Sequence, residues 1–334
     1  MKEKITVIGA GAWGTAIANL LAQNKHEVCA ISDIKEISEE INQKNTHESA
    51  LPEINLEKNL KSSTDLEKNA INSDLIYIVV PSTVVPIIIE QLSKVELKEN
   101  CGFVICTKGL DHKSLKFFHQ IIEEKIRNTK VAVLSGPNFA IEIAQKVPSV
   151  TNIASLDENF AKRVIAIMQN DYFRPIYLNN VLIAEISSVI KNIMAIACGI
   201  NDGLGFGENS KAALIVQGVN EIKILARAIN KSEDSAKDSQ FPVANAAGFG
   251  DIFLTCSTTK SRNNSLGFKI GKGEKYGDLK KVKTYEGALN ADSVNRLAQK
   301  LKIELKLCQA IHEILQQQPS TEEIRRKITD IICK

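Results

Sequence analysis

The sequence predicts an α/β fold in two parts, a doubly wound and mostly parallel sheet in the first half followed by an all-helical second half. The chain has 334 residues, more than one ordinary domain needs and enough for two. Up to about Asn180, short β-branched runs alternate with helical patterns, as parallel strands joined by crossover helices do. Beyond that point such runs give way to long stretches of helical periodicity rich in Ala, Ile, Leu, Lys and Glu. The boundary is placed at Asn179-Asn180, giving domains 1–180 and 181–334.

In order along the chain, strands are expected at residues 5–8, 28–31, 75–80, 103–106, 131–134, 149–154 and 173–178. Their near-continuous apolar character suits a sheet covered on both faces. Helical patterns separate most of them, for example at 15–23, 115–127 and 158–169. In the second half helices are expected at 181–197, 210–229, 292–301 and 304–317, with a last one opening at a capping box of Ser320 and Glu323. Loops are expected over 46–65, 201–209 and 257–278, the last two rich in Gly, Asn and Ser.

Composition narrows the function classes. Apolar residues make up 44% and charged residues 24%, so the chain can bury a sizeable core. A net charge of +3 provides no broad basic face for duplex DNA. The Lys-rich stretch 269–283 lacks interleaved aromatics apart from Tyr276 and reads as a solvated loop, so no nucleic-acid partner is expected. The start runs straight into a strand pattern without an apolar leader. The longest apolar stretch, 189–200, is interrupted by Lys191 and Asn192 and falls short of a membrane span. Seven cysteines without a Cys-x-x-Cys pair read as reduced thiols in a cytoplasmic protein, and no metal site is expected.

Gly9-Ala10-Gly11-Ala12-Trp13-Gly14 follows the first strand and opens a helix. In that context Gly9 permits a tight turn, Gly11 lets backbone approach a pyrophosphate, and Gly14 allows close helix packing, with the helix N-terminus facing the anion. This is the pattern of a Rossmann-type dinucleotide-binding domain. Asp33 stands at the end of the second strand, where a carboxylate accepts bonds from a ribose diol and repels a 2′-phosphate. It favours NAD over NADP.

Residues 79–82, 107–110 and 135–140 follow predicted strands and would line the crevice at their carboxyl ends. Lys108 there would hold a phosphate or polarise a carbonyl, or else lie on the surface. Lys191 sits with Asn192 inside an apolar helical segment. Such a lysine needs a partner, an aqueous cleft or a shifted pKa. Spacing leaves open whether it is a proton donor to a developing alkoxide or snorkels to solvent. Asp251, after the glycine turn at 248–250, is a natural counter-charge. Ser261-Arg262-Asn263-Asn264 offers a fork for phosphate oxygens, or is a polar loop.

These segments, together with Ser135-Gly136-Pro137-Asn138-Phe139-Ala140 and Val80-Pro81-Ser82 and in this order, resemble bacterial NAD(P)-dependent sn-glycerol-3-phosphate dehydrogenases along nearly the whole chain. The resemblance implies a helical C-terminal domain of 6-phosphogluconate-dehydrogenase-like type and an active site between the two domains. It implies interconversion of dihydroxyacetone phosphate and sn-glycerol 3-phosphate for phospholipid synthesis, with NAD or NADP as cofactor, in a homodimer. Lys191 falls on the catalytic lysine, with Asp251 and Thr255 in the active-site pattern. Substrate contacts are implied at Lys108, Gly136, Asn138, Lys191, Asp251, Ser261, Arg262 and Asn263. Cofactor contacts are implied at Gly9, Gly11, Ala12, Trp13, Gly14, Asp33, Lys108, Ala140, Arg262 and Glu286. Ala12 stands where serine is common, Asn138 where threonine or serine is usual, Asp33 where a basic or histidine residue often favours NADP, and Thr284 where an apolar residue is usual. Rival expectations are a related two-domain hydroxyacid dehydrogenase and a non-catalytic dinucleotide-sensing regulator.

Overall fold

The computed structural model describes residues 2–230 and 243–334. They divide into two compact units, Met1–Thr107 with Lys116–Val181, and Lys108–Leu115 with Leu182–Lys334. Residues 108–115 therefore cluster with the second unit although they come from the first half of the chain.

The first unit is an eight-stranded sheet in the order β3-β2-β1-β4-β5-β6-β7-β8. Its strands are β1 (Lys4–Ile8), β2 (Glu27–Ile31), β3 (Lys61–Ser63), β4 (Leu75–Ile78), β5 (Gly102–Ile105), β6 (Lys130–Ser135), β7 (Ser149–Ala154) and β8 (Phe173–Leu178). All neighbours pair parallel except β6 and β7. Around the sheet run α1 (Ala12–Gln23), α2 (Lys35–Lys44), α3 (Leu66–Ala70), α4 (Val85–Leu92), α5 (Phe118–Lys125), α6 (Ala140–Ala144) and α7 (Glu158–Met168). Strand order reverses between β1 and β4, so the glycine turn after β1 lies at a topological switch point, where open α/β sheets take their ligands. The core there joins Ile5, Val7, Ile17, Leu21, Tyr77 and Val104. Strand β3 lies inside the expected loop 46–65. Its Lys-Ser-Ser sequence has no apolar signal, and Ser62 is held instead by donating its hydroxyl to the Ala30 carbonyl at 2.8 Å.

In the second unit the helices are α8 (Val181–Gly203), α9 (Glu208–Asn230), α10 (Asp251–Cys256), α11 (Arg262–Gly271), α12 (Tyr276–Val282), α13 (Glu286–Leu301), α14 (Lys306–Gln317) and α15 (Thr321–Cys333). Helix α15 opens at the Ser320–Glu323 capping box. Helix α8 extends past the expected 197, and its most apolar 18-residue window, mean hydropathy 1.8, is long and apolar enough to cross a membrane. This corrects the expectation that no apolar stretch reaches that length. The window is 94% buried within the protein, as a core helix is.

The expected loop at 257–278 is mostly helix, and the reason is a glycine ladder. A Cβ on Gly267 would sit 2.0 Å from the Ile196 carbonyl oxygen, and one on Gly199 would sit 2.0 Å from that of Asn264. Gly203 and Gly271 meet one turn further on, each within 3.0 Å of the other's backbone if a Cβ were added. Glycines four apart on both α8 and α11 thus let the two backbones touch. Residues that resemble loop punctuation are helix contacts. The Lys-rich stretch is likewise the end of α11 and then α12, with Lys275 donating to the carbonyls of Gln318 (2.9 Å) and Pro319 (3.3 Å). Helix α14 has no cap of its own. Buried Glu221 of α9 supplies one, accepting from the backbone N–H groups of Leu307 (2.6 Å) and Cys308 (3.0 Å).

Candidate active site

At the β1–α1 turn the three glycines do different work. Gly9 has φ +107°, and a Cβ there would lie 2.6 Å from the Val79 carbonyl oxygen, so both conformation and space demand glycine. On Gly14 a Cβ would lie 1.8 Å from the Gly9 carbonyl oxygen, which seats α1 tightly on the turn. At Gly11 an added Cβ would meet nothing within 4 Å. Gly11 is also the N-cap of α1 and provides no side-chain cap. Open space and uncapped N–H groups at a helix N-terminus fit a dinucleotide pyrophosphate. Ala12 and Trp13 are the first two residues of that helix, and Asp33 stands exposed just beyond β2.

Gly136, Asn138 and Ala140 belong to the same unit. A Cβ on Gly136 would fall 2.7 Å from Thr151 Oγ1. Asn138 Nδ2 donates to Thr151 Oγ1 at 3.0 Å, while its buried Oδ1 has no partner among the described residues. Ala140 opens α6.

The second unit assembles four residues drawn from three parts of the chain. Lys191 and Asp251 are 4% and 1% exposed. Lys191 Nζ donates to Asp251 Oδ1 at 2.8 Å and to Thr255 Oγ1 at 2.7 Å. Asp251 and Thr255 are one turn apart on α10, and the Thr255 hydroxyl in turn donates to Asp251 Oδ1 at 3.3 Å. Lys108 Nζ reaches the other carboxylate oxygen, Oδ2, at 2.7 Å. The cluster is two ammoniums on one carboxylate. Burial raises the Asp251 carboxyl, but the two lysines outweigh it and hold the net value below the ordinary one. Lys191 is pushed down to about 8, first by burial, with Lys108 adding to the fall and Asp251 opposing it. An ammonium has three donors, and the third on Lys191 has no acceptor among the described residues.

Local structure explains how Asp251 gets there. The expected flexible turn at 248–250 is a π-helical turn, Ala246–Gly250, capped by Asn245, whose Oδ1 accepts from Gly248 N at 2.8 Å. Widened turns of this kind re-aim the residues that follow. Gly248 is required because a Cβ would lie 2.2 Å from the Val243 carbonyl oxygen.

Ser261, Arg262 and Asn263 form the N-terminus of α11. The Ser261 hydroxyl accepts from Asn264 N, Arg262 is exposed, and Asn263 Oδ1 accepts from Gly287 N at 3.1 Å. A Cβ on Gly287 would lie 2.7 Å from the Asn192 carbonyl oxygen, so Asn263 is packed beside the residue that follows Lys191. Guanidinium, amide and helix N-terminus together suit an anion. Glu286 is the first residue of α13, next to this junction. Sequence reading missed His112, Ser293 and Arg296, which bind the 108–115 segment to α13. His112 contacts partners about 180 positions away, so no local spacing marks them.

Comparison with known proteins adds an independent line. The family model described as NAD-dependent glycerol-3-phosphate dehydrogenase N-terminus matches residues 4–161, and the one described as the C-terminus of the same enzyme matches residues 180–326. The chain is 33% identical to a glycerol-3-phosphate dehydrogenase [NAD(P)+] of Leptospira biflexa, with 97% of each chain covered. It is 36% identical to a protein of the same name from Caulobacter vibrioides, over 94% of this chain and 92% of the other. A crystal structure of glycerol-3-phosphate dehydrogenase from Coxiella burnetii superposes with a TM-score of 0.89 at 30% identity, covering 100% and 99% of the two chains.

Proposed function

The chain belongs to the NAD-dependent glycerol-3-phosphate dehydrogenase family, and on that premise we propose that it interconverts dihydroxyacetone phosphate and sn-glycerol 3-phosphate with NAD or NADP. The observation that carries the reading is the buried Lys191 amine, fixed by Asp251 and Thr255 with one donor left over among the described residues. A ketone reduction needs a proton delivered to the carbonyl oxygen as negative charge grows on it, and a desolvated lysine near neutrality can deliver one.

When bound, the nicotinamide supplies the hydride for reduction or accepts it in oxidation. In the reductive direction Lys191 would donate to the carbonyl oxygen and afterwards be reprotonated from water. Asp251 orients the amine and balances its charge, and Lys108 adds a second cation that stabilises the developing alkoxide. Arg262, Asn263 and the N-terminus of α11 would clamp the phosphate, so that binding energy from the unreacting end holds the carbonyl in place. The α1 N-terminus with Gly9, Gly11 and Gly14 would hold the pyrophosphate, and Asp33 would favour NAD by repelling a 2′-phosphate. The family premise extends the proposal to a cytoplasmic homodimer supplying glycerol phosphate to phospholipids.

Following NADH and NADPH oxidation in the presence of dihydroxyacetone phosphate tests the reading. Consumption of either cofactor that depends on that substrate, and not on unphosphorylated dihydroxyacetone, supports it. Folded protein that binds cofactor without oxidising it removes it.

A further inference from the structure

Lys108 reaches Asp251 from a stretch of chain without helix or strand, since residues 106–109 carry no regular backbone structure. What holds it on its C-terminal side is a tight turn. Leu110 is fully buried. The Asp111 carboxylate accepts from the backbone N–H (2.8 Å) and the hydroxyl (2.6 Å) of Ser114, and Leu115 N donates to the Asp111 carbonyl at 2.9 Å. The turn presents His112 to α13 in two ways. His112 Nδ1 shares a hydrogen bond with the buried Ser293 hydroxyl at 2.7 Å, and the His112 carbonyl accepts from Arg296 Nη1 at 2.8 Å. Ser293 and Arg296 are three residues apart, hence neighbours on one helix face, and Asp292 steadies Arg296 at 3.6 Å. The same helix is tied at its start to Asn263 through Gly287 N. Helix α13 therefore connects the candidate phosphate-binding end of the site to the turn that carries Lys108.

We infer that Ser293 and Arg296 are positioning residues for the reaction: by gripping His112 at ring and carbonyl they keep the Lys108 ammonium on Asp251, beside Lys191. The inference rests on the functional reading above. A long lysine side chain on irregular backbone has many rotamers, and a fixed turn four residues away removes most of the backbone freedom that would otherwise add to them. Burial lowers the His112 pKa despite the carboxylates of Asp111 and Asp292, with Arg296 adding to the fall. With its pKa below the ordinary histidine value, the ring loses its proton before Lys191 does, and the grip does not titrate in the range where Lys191 does. The groups facing Lys191 are Asp251 and Thr255 from α10, the buried Cys256 thiol on the same helix, and Lys108 from the turn.

The test is a double-mutant cycle. Ser293→Ala, Arg296→Met and Arg296→Lys are made in the wild-type and the Lys108→Met backgrounds. Dihydroxyacetone phosphate reduction is followed from pH 6 to 10, with urea unfolding midpoints beside it. Ser293→Ala and Arg296→Met are expected to lower kcat/KM by roughly two- to tenfold per hydrogen bond lost. They are also expected to move the alkaline fall in rate to higher pH, because a cation beside Lys191 is no longer held there. In the Lys108→Met background they should do neither, and Arg296→Lys should recover part of the loss. If Ser293→Ala does not fold, the two Arg296 variants carry the test. Equal losses in both backgrounds, a loss with an unshifted pH profile, or no loss at all overturns the inference. A wild-type chain that binds NADH and leaves dihydroxyacetone phosphate unreduced overturns the functional reading, and this inference with it.

Discussion

Lys191 shows what a single residue in the wrong surroundings demands. A charged amine inside an apolar helix is tolerated only because Asp251 and Thr255 accept its hydrogen bonds at 2.8 and 2.7 Å. On the proposed mechanism, removing it takes away a proton donor that contributes on the order of 10²- to 10⁴-fold. Lys191→Ala should therefore lower kcat by that much while leaving NADH affinity, measured by fluorescence titration, nearly unchanged. A variant with near-normal turnover would refute the assignment. The pH dependence follows from the same amine. In the proposed mechanism protonated lysine is the donor, so reduction should be full below about 8 and fall as pH rises through that value. Oxidation, which needs the neutral amine, should rise over the same interval. Initial rates in both directions across pH 6.5–9.5 check the pair of trends. Sequence alone marked Lys191 as anomalous but left solvent exposure open. What decided its environment is Asp251, 60 positions later, which no spacing along one helix could place.

Elements were legible where periodicity carried the signal and obscure where glycine did. The β1–α1 turn could be read residue by residue, because Gly9 and Gly14 serve contacts within a few positions or against the neighbouring strand. Gly199, Gly203, Gly267 and Gly271 use the same property for a different end, contact between two helices distant in sequence, and for that reason the stretch around 267 resembles a loop in sequence. The α8–α11 contact predicts its own sensitivity. In Gly267→Ala the new methyl would lie 2.0 Å from the Ile196 carbonyl oxygen, so the helices must part. The cost should be about 1–3 kcal/mol, as for overpacked cores. Because α11 carries Arg262 and Asn263 at its start, the KM for dihydroxyacetone phosphate should rise as well. Urea unfolding and steady-state kinetics on one preparation read both. Unchanged stability would show that the helices yield without cost.

Over the whole molecule, the division of labour between two units matches the alternation and then loss of β-branched runs along the chain. The sheet unit provides a glycine turn at its switch point and an exposed Asp33, and the helical unit provides Lys191, Asp251, Thr255, Arg262 and Asn263. The one crossing of that pattern is residues 108–115, which bring Lys108 from the first half of the chain to Asp251. A strand-then-helix reading has no means of seeing such a crossing, since it depends on which side a connection takes after β5. The central claim is that these parts together reduce a phosphorylated ketone. The most direct measurement is parallel oxidation of NADH and NADPH by the purified chain with dihydroxyacetone phosphate, followed at 340 nm. Substrate-dependent oxidation, faster with NADH because of Asp33 and absent with unphosphorylated dihydroxyacetone, is the predicted result. Protein that is folded and binds cofactor, yet oxidises neither on addition of dihydroxyacetone phosphate, would contradict it.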